Sequence, residues 1–293
     1  MTGEPSDANY GVILAGRYRL LRQLGAGTMA RVYVAEQIAM SRNVAVKLLH
    51  EDVQLDDVAV ARFRQEIVAV ARLRSPHTIQ FYDAGTSERG SQFVAMELLA
   101  GETLRQRLER DARLPPHEVM GIAAQVGASL QEAHEAGVLH RDLKPENVYL
   151  CSHPTPLHLF VKVLDFGLAK IVDTGGDEAD AFQLTGERQS LGTPAYMAPE
   201  SIVRGRPRDH RLDIYALGTM CFEMLTGRRP YEARSAQEMV LAQVRHPIPR
   251  ASEVAPDLPP AVDALFDSFL AKDPAARPAQ ATDVAALLAH ALS

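Results

Sequence analysis

The sequence predicts an α+β fold in two lobes: a small lobe of antiparallel strands with one helix, then a larger, mainly helical lobe. Three observations carry this. Between Tyr18 and Glu97 short runs alternate apolar and polar residues, with one helical stretch among them. After Gly101 the apolar residues recur at three- and four-residue spacing instead. The chain has 293 residues, 46% of them apolar, which suits one large domain or two lobes.

Bulk properties exclude several classes. The formal charge of −6 argues against bulk affinity for nucleic acid or anionic lipid. No apolar run approaches the roughly 18 residues of a membrane-spanning helix. The opening "MTGEPSDANYG" is polar and acidic, unlike a signal peptide. The two cysteines, Cys151 and Cys221, lack metal-type spacing and predict a reducing compartment without a disulfide framework. There is no internal repeat. Residues 1–17 read as a flexible leader. Residues 18–290 read as one domain: a small lobe over 18–97, a hinge at 98–101 and a larger lobe over 102–290.

The small lobe begins with "RYRLLRQL" and "ARVYVAEQ", two strands flanking a glycine-containing loop, and "NVAVKLL" makes a third. In "DDVAVARFRQEIVAVARLR" the residues Phe63, Ile67 and Val70 recur at helical spacing, with Leu73 one turn on. "IQFYDAG" and "SQFVAMEL" follow as strands. In the larger lobe Val119, Ile122, Val126 and Leu130 give a helical stripe. "DIYALGTMCFEMLTG" is apolar nearly all round, the mark of a buried helix, and Gly227 suits its C-terminal stop. "PPAVDALFDSFLAKDP" and "ATDVAALLAHAL" read as further helices.

The chemistry begins at "LGAGTMARVYVA". A dinucleotide fold needs a helix after the glycines, but Val32 and Val34 continue in strand alternation. A P-loop would end in Gly-Lys-Ser/Thr, which is absent. What remains is a plain hairpin or a flap whose backbone amides cover phosphates. Lys47, mid-strand in "NVAVKLL", is either an edge-strand lysine or a phosphate-binding ammonium. Glu66 shares the inward face of its helix with Phe63 and Val70, where a carboxylate needs a partner. A structural ion pair would explain both residues equally well.

The stretch "VLHRDLKPENVYL" is far more specific. Lys144 stands two residues after Asp142, and Asn147 five after it. Asp142 suits accepting or orienting a hydroxyl proton, Lys144 neutralising a phosphoryl group, and Asn147 giving an amide oxygen to a hard cation. In "VLDFGLAK" Asp165 follows an apolar strand and precedes a turn, which displays a second metal-type carboxylate.

With these residues in place, residues 18 to 290 resemble the Hanks-type (eukaryotic-like) Ser/Thr protein kinases, bacterial members above all. The resemblance implies the bilobal protein-kinase fold. The stretch Leu24, Gly25, Ala26, Gly27, Thr28, Met29, Ala30, Arg31 and Val32 resembles the family's glycine-rich ATP flap, with Ala30 in the third glycine slot. Lys47 is similar to the third-strand lysine and Glu66 to its helix partner. Asp142, Lys144 and Asn147 resemble the catalytic loop, with Asn147 and Asp165 as the metal ligands. Ala198-Pro199-Glu200 closes an activation segment, Arg277 resembles the arginine that pairs with Glu200, and Asp213 the aspartate that braces the catalytic loop. Met96 resembles the gatekeeper. Glu97 and Leu99 would offer backbone groups to adenine, Leu24, Val32 and Ala45 a roof, and Tyr149 a floor. Thr193 would lie near Asp142 and Lys144 as a substrate-positioning residue. Arg141 resembles members activated by loop phosphorylation, with Thr185 and Ser190 as acceptors.

The resemblance thus implies ATP and Mg²⁺, with Mn²⁺ as a substitute. It also implies protein substrates with Ser/Thr acceptors, a homodimer for autophosphorylation in trans, and a cytoplasmic location, either free or as part of a longer membrane-anchored chain. Its five polar side chains would converge on the triphosphate in a cleft between the lobes. A pseudokinase, binding ATP as a scaffold, is the alternative, yet no ligand position is degraded here. A small-molecule kinase fits less well, because "GTPAYMAPE" resembles a peptide-docking loop. Two departures stand out: "CSHPTPLHLFVKV" lengthens the link to Asp165, and "DTGGDEADAF" makes the activation segment acidic, which predicts mobility before phosphorylation.

Overall fold

The computed structural model describes residues 9–27, 30–51, 57–152, 159–166, 193–203 and 208–292, and of Asp57, Val58, Ala59, Arg62 and Thr193 the backbone only. The described residues divide into two units. The first holds residues up to 72 together with 79–100, and the second holds 73–78 and the chain from Gly101 onward. The change of sequence character near Glu97–Gly101 falls at the Ala100/Gly101 division.

The first unit is an antiparallel sheet with one helix. Its strands are β1 (Ile13–Leu14), β2 (Tyr18–Ala26), β3 (Ala30–Gln37), β4 (Arg42–Leu49), β5 (Phe81–Thr86) and β6 (Gln92–Met96), with helix α1 (Asp57–Ala71) between β4 and β5. The spatial order is β1-β2-β3-β4-β6-β5. Period-two alternation puts Tyr18, Leu20, Tyr33, Ala35, Val44, Val46, Phe93 and Ala95 into one buried cluster. On α1, Phe63, Ile67 and Val70 are buried as their spacing predicts.

The flexible leader expected over residues 1–17 needs correction at its far end. Ile13 pairs with Arg19 and Leu14 with Tyr18. Leu14 is buried in the cluster just named, and the Leu20 N–H donates to Val12 O. The apolar trio Val12-Ile13-Leu14 supplies this strand, and the polar residues before it hid the signal.

The second unit is mainly helical. It holds β7 (Gly101–Thr103), α2 (Leu104–Asp111), α3 (Pro116–Glu135), a 3₁₀ turn (Pro145–Asn147), β8 (Val148–Cys151), β9 (Phe160–Val163), a second 3₁₀ turn (Thr193–Tyr196), α4 (Pro199–Ile202), α5 (Arg211–Thr226), α6 (Ala236–Arg245), α7 (Ala251–Val254), α8 (Ala261–Phe269), a third 3₁₀ turn (Pro274–Ala276) and α9 (Asp283–Leu292). The α3 stripe of Val119, Ile122, Val126 and Leu130 is fully buried. Helix α5 is buried from Leu212 to Thr226, and it stops at Gly227, whose φ of 75° is the left-handed cap expected there. Each enclosed side chain of the size of Leu217 or Phe222 contributes about 1.5–3 kcal/mol, which makes α5 the axis of the unit.

Sequence periodicity misses the small sheet β7-β8-β9 and helices α2 and α6. Both helices carry a start signal. Thr103 and Gln106 form a reciprocal capping box on α2, and the Ser235 hydroxyl accepts from Glu238 N on α6. The helix expected over "PPAVDALFDSFLAKDP" ends at Phe269, because Asp273 turns the chain by capping a 3₁₀ turn instead.

Candidate active site

In the second unit the site is a turn under strain. Arg141 and Asp165 are non-glycine residues with φ of 65° and 55°. Left-handed backbone at such residues costs of order 1–3 kcal/mol each and persists only where its surroundings hold it. The holding is visible. Asp213, at the start of α5 and wholly buried, accepts from the His140 N–H (2.8 Å), the Arg141 N–H (2.8 Å) and His134 Nε2 (2.8 Å). Burial alone would raise this carboxyl. The hydrogen bond from His134, the two imidazoles and the His140 amide outweigh it and hold Asp213 below its ordinary value. His140 Nε2 then donates to Leu164 O at 2.8 Å, and Phe166 packs on the His140 ring at 4.7 Å. The segments bearing Asp142 and Asp165 are thereby fastened to one imidazole.

The polar side chains gather on this frame. Lys144 Nζ lies 2.8 Å from Asp142 Oδ2. Asn147 Nδ2 donates to Asp142 O at 2.8 Å and to Asp142 Oδ2 at 3.2 Å, so its amide nitrogen is committed and Oδ1 is the ligand end. Asn147 ends the turn before β8, and Asp165 lies two residues beyond β9. The Val148↔Val163 pairing and the Leu164 N–H bond to Asn147 O (2.8 Å) bring these two ends together. Among the described residues no group of three or more His, Cys, Asp and Glu is arranged to hold a metal ion. The oxygen donors of Asn147 and Asp165 suit instead a hard cation that completes its shell with phosphate oxygens and water. The pairing predicted for Glu200 is present. Arg277 grips both its carboxylate oxygens, at 2.6 and 2.8 Å, with both side chains buried.

The remaining expected residues of this unit differ in kind. Tyr149, expected as an adenine floor, is half-buried on β8 and donates its hydroxyl to Gly101 O at 2.9 Å. Gly101 there is obligatory: its φ is 141°, and a Cβ would sit 2.1 Å from Leu150 O. Thr193 opens the second 3₁₀ turn. Thr185, Ser190, Gly167 and the acidic stretch "DTGGDEADAF" lie outside the described residues.

In the first unit the flap is the opposite of strained. Gly25 and Gly27 are exposed and have no positive φ, and a Cβ on Gly25 would meet nothing within 4 Å. Among the described residues neither conformation nor packing requires the glycine. The space over Gly25 is open to a group from outside, and a phosphate cradled by amides is of a kind that would use it. The Gly27 N–H is already spent on Ala30 O at 2.8 Å, and Gly27 O meets His50 Nε2 at 3.0 Å, a residue that spacing does not single out. Ala26 and Arg31 are exposed and Ala30 is buried, while Thr28 and Met29 lie outside the described residues. Cross-strand register aligns Val32 with Lys47 and Val94, and Val34 with Ala45 and Met96. Ala45 and Met96 are buried, Val32, Leu99, Lys47 and Glu66 half-buried, and Leu24 is 45% exposed. The Glu97 N–H donates to Gln80 O at 3.0 Å, and its side chain takes the Gln80 N–H at 2.8 Å. Of the backbone groups expected to meet adenine, Glu97 would therefore offer its carbonyl.

A sheet unit with an uncrowded glycine flap, and a helical unit with a braced His-Arg-Asp turn beside an Asn/Asp oxygen pair, define the class of protein kinase domains. A family model, that of the protein kinase domain, matches residues 18–292. The chain belongs to this family. It is 39% identical over 278 residues to the serine/threonine-protein kinase pkn3 of Myxococcus xanthus, covering 94% of this chain and 50% of that protein. It is 34% identical to the serine/threonine-protein kinase PrkC of Bacillus subtilis, covering 93% of this chain and 40% of that one. The crystal structure of the Mycobacterium tuberculosis PknI kinase domain matches with a TM-score of 0.74 at 29% identity, covering 96% of this chain and 98% of that chain. The chain is thus a kinase domain of the bacterial Ser/Thr type. It spans about half the length, or less, of the curated relatives it matches.

Proposed function

We propose that the chain is an active Ser/Thr protein kinase, transferring the γ-phosphoryl group of Mg-ATP to protein hydroxyls, its own Thr185 or Ser190 among them. The observation that carries this reading is the single hydrogen-bonded turn joining Asp142, Lys144 and Asn147, tied through Leu164 to Asp165. Asp142 orients the acceptor hydroxyl and takes its proton as its oxygen bonds to the γ-phosphorus and the bond from that phosphorus to the β,γ-bridging oxygen breaks, releasing ADP. Lys144, already beside Asp142, balances the charge of the group in transfer. Asn147 and Asp165 hold the cation, Mg²⁺ or in its place Mn²⁺, which when bound neutralises phosphate charge. The first unit handles the nucleotide: Lys47 the α/β-phosphates with Glu66 behind it, the flap amides the phosphate tail, and Leu24, Val32, Ala45, Met96, Glu97 and Leu99 the base, with Tyr149 of the second unit as its floor. Thr193 steadies the acceptor. Catalysis on this plan is positioning and charge stabilisation.

The setting follows from weaker support. Both cysteines are free thiols, which suits the cytoplasm. No helix of the described residues is long and apolar enough to cross a membrane. The cytoplasmic part of a longer, membrane-anchored protein and a free domain both fit. Net charge of −6 speaks against nucleic acid as a partner, and a homodimer would serve autophosphorylation in trans.

Labelled ATP with Mg²⁺ tests the reading. Asp142→Asn should lower transfer by about 10²–10⁴-fold, and Lys47→Met should abolish it, with circular dichroism unchanged in both. Wild type no more active than Asp142→Asn sinks the proposal.

A further inference from the structure

A cavity open to solvent is lined by Asp142 and Leu143 of the catalytic turn and by Tyr196, Met197, Ala198 and Ser201 of a second segment. That second wall is the end of the 3₁₀ turn Thr193–Tyr196 and the residues that follow it. Two side chains outside the cavity hold that turn. Gln243 of α6 is 1% exposed. Its Nε2 donates to Ala195 O at 2.6 Å, and its Oε1 accepts the hydroxyl of Tyr215 on α5. Its backbone carbonyl takes Lys272 Nζ at 2.7 Å, so the glutamine is fixed at both ends of the side chain and at its main chain. From α2, Arg105 donates to the Tyr196 hydroxyl, to Glu223 Oε1 at 3.0 Å and to Glu146 Oε1 at 3.0 Å. The Tyr196 hydroxyl in turn donates to Glu223 Oε2. Glu146 is the residue before Asn147. One guanidinium therefore fastens the cavity wall to the turn that carries the catalytic side chains.

We propose that Gln243 and Arg105 are positioning residues for the acceptor polypeptide: they set the distance between the Tyr196–Ser201 wall and Asp142, and so the fit of the hydroxyl-bearing segment. Neither lines the cavity, and neither belongs to the nucleotide-handling unit. A buried amide with both ends matched has one geometry, and so does a guanidinium spread over three partners. Small displacements of a positioned reactant are costly, so loosening either clamp weakens acceptor use before it touches ATP.

This rests on the kinase reading of Asp142, and the test separates the two. The whole chain is assayed with myelin basic protein as acceptor, with KM measured for the acceptor and for ATP. Gln243→Met keeps the volume and loses both hydrogen bonds; Gln243→Glu keeps the acceptor for Tyr215 and loses the donor to Ala195. Each should raise the acceptor KM about tenfold and leave the ATP KM within about twofold. Arg105→Ala should do the same, with Arg105→Lys recovering part of the loss, since an ammonium keeps the charge without the fork. Leu241→Gln, exposed on the same helix, should change nothing. An unchanged acceptor KM overturns the inference, as does a parallel rise in both constants; should Gln243→Met fail to fold, Gln243→Glu decides on the same readout. Wild type as inactive as Asp142→Asn brings down the kinase reading, and this inference with it.

Discussion

The glycine flap of the sheet unit and the catalytic turn of the helical unit are both loops, yet they are built on opposite principles. The flap is exposed and relaxed, and a side chain at Gly25 would meet open space. The turn holds Arg141 in left-handed backbone, where a buried carboxylate with three donors keeps it, and His140 ties to it the segment of the equally left-handed Asp165 through Leu164 O. On the proposed function, the difference follows from what each would hold. A flap over a ligand needs amides without a side chain in the way, and gains its order from what binds. A turn that positions reacting atoms must be rigid beforehand, and strain is tolerated where enough partners enforce it.

The strongest way to break that comparison is to cut the brace. Asp213→Ala leaves the His140 and Arg141 amides and His134 without their shared acceptor. It should cost about 3 kcal/mol or more in denaturant unfolding and reduce kcat with it. The pH dependence has a definite sign. Because Asp213 is held below its ordinary value in the folded protein, its stabilisation is complete at neutral pH. It is lost as pH falls through that depressed value, and the variant should lack this acid-side loss. Stability unchanged by Asp213→Ala would mean that the strained turn is held by something else.

The flap should respond the other way. Gly25→Ala should shift Tm by no more than about 2 °C, because the new methyl group meets no atom of the described residues within 4 Å. The same change should raise the KM for ATP about five- to tenfold, since the methyl group stands where phosphate would approach. A lowered Tm with unchanged ATP affinity would make the glycine structural and erase the contrast.

The smallest effect lies away from both loops. Burial, with Arg277 nearby, pulls Lys272 down to about 8. The unfolded chain, near 10.4, then holds this proton more tightly than the folded one. The cost of burying the ammonium is therefore complete below about pH 8 and is relieved as pH rises toward about 10. Wild type should gain a few degrees of Tm relative to Lys272→Met between about pH 8 and 9.5. Parallel curves would return Lys272 to an ordinary surface lysine.

Much of the candidate site was legible because the side chains proposed for its chemistry sit in short, fixed spacings. Asp142, Lys144 and Asn147 lie within six residues, and the Glu200–Arg277 pair followed from family order. For the adenine edge proposed at Glu97 the sequence could not say which backbone groups are already spent, because that depends on Gln80, a strand away. Gln243 and Arg105 gave no signal at all. Each is a polar residue on an otherwise ordinary amphipathic helix, and its partners lie 28 to 118 positions away.

By itself the sequence determined the main strands of the first unit, the change from strand to helix near Glu97–Gly101, the fully buried α5 and the chemical character of the candidate side chains. These depend on local periodicity and on chemistry that a side chain carries wherever it is placed. Only the tertiary structure decided that Leu14 closes the sheet, that Arg141 and Asp165 are strained, and that Gln243 and Arg105 hold the Tyr196–Ser201 wall in place. Those facts are long-range hydrogen bonds and buried contacts, whose partners are fixed by the packing of distant segments, and no spacing along the chain encodes them.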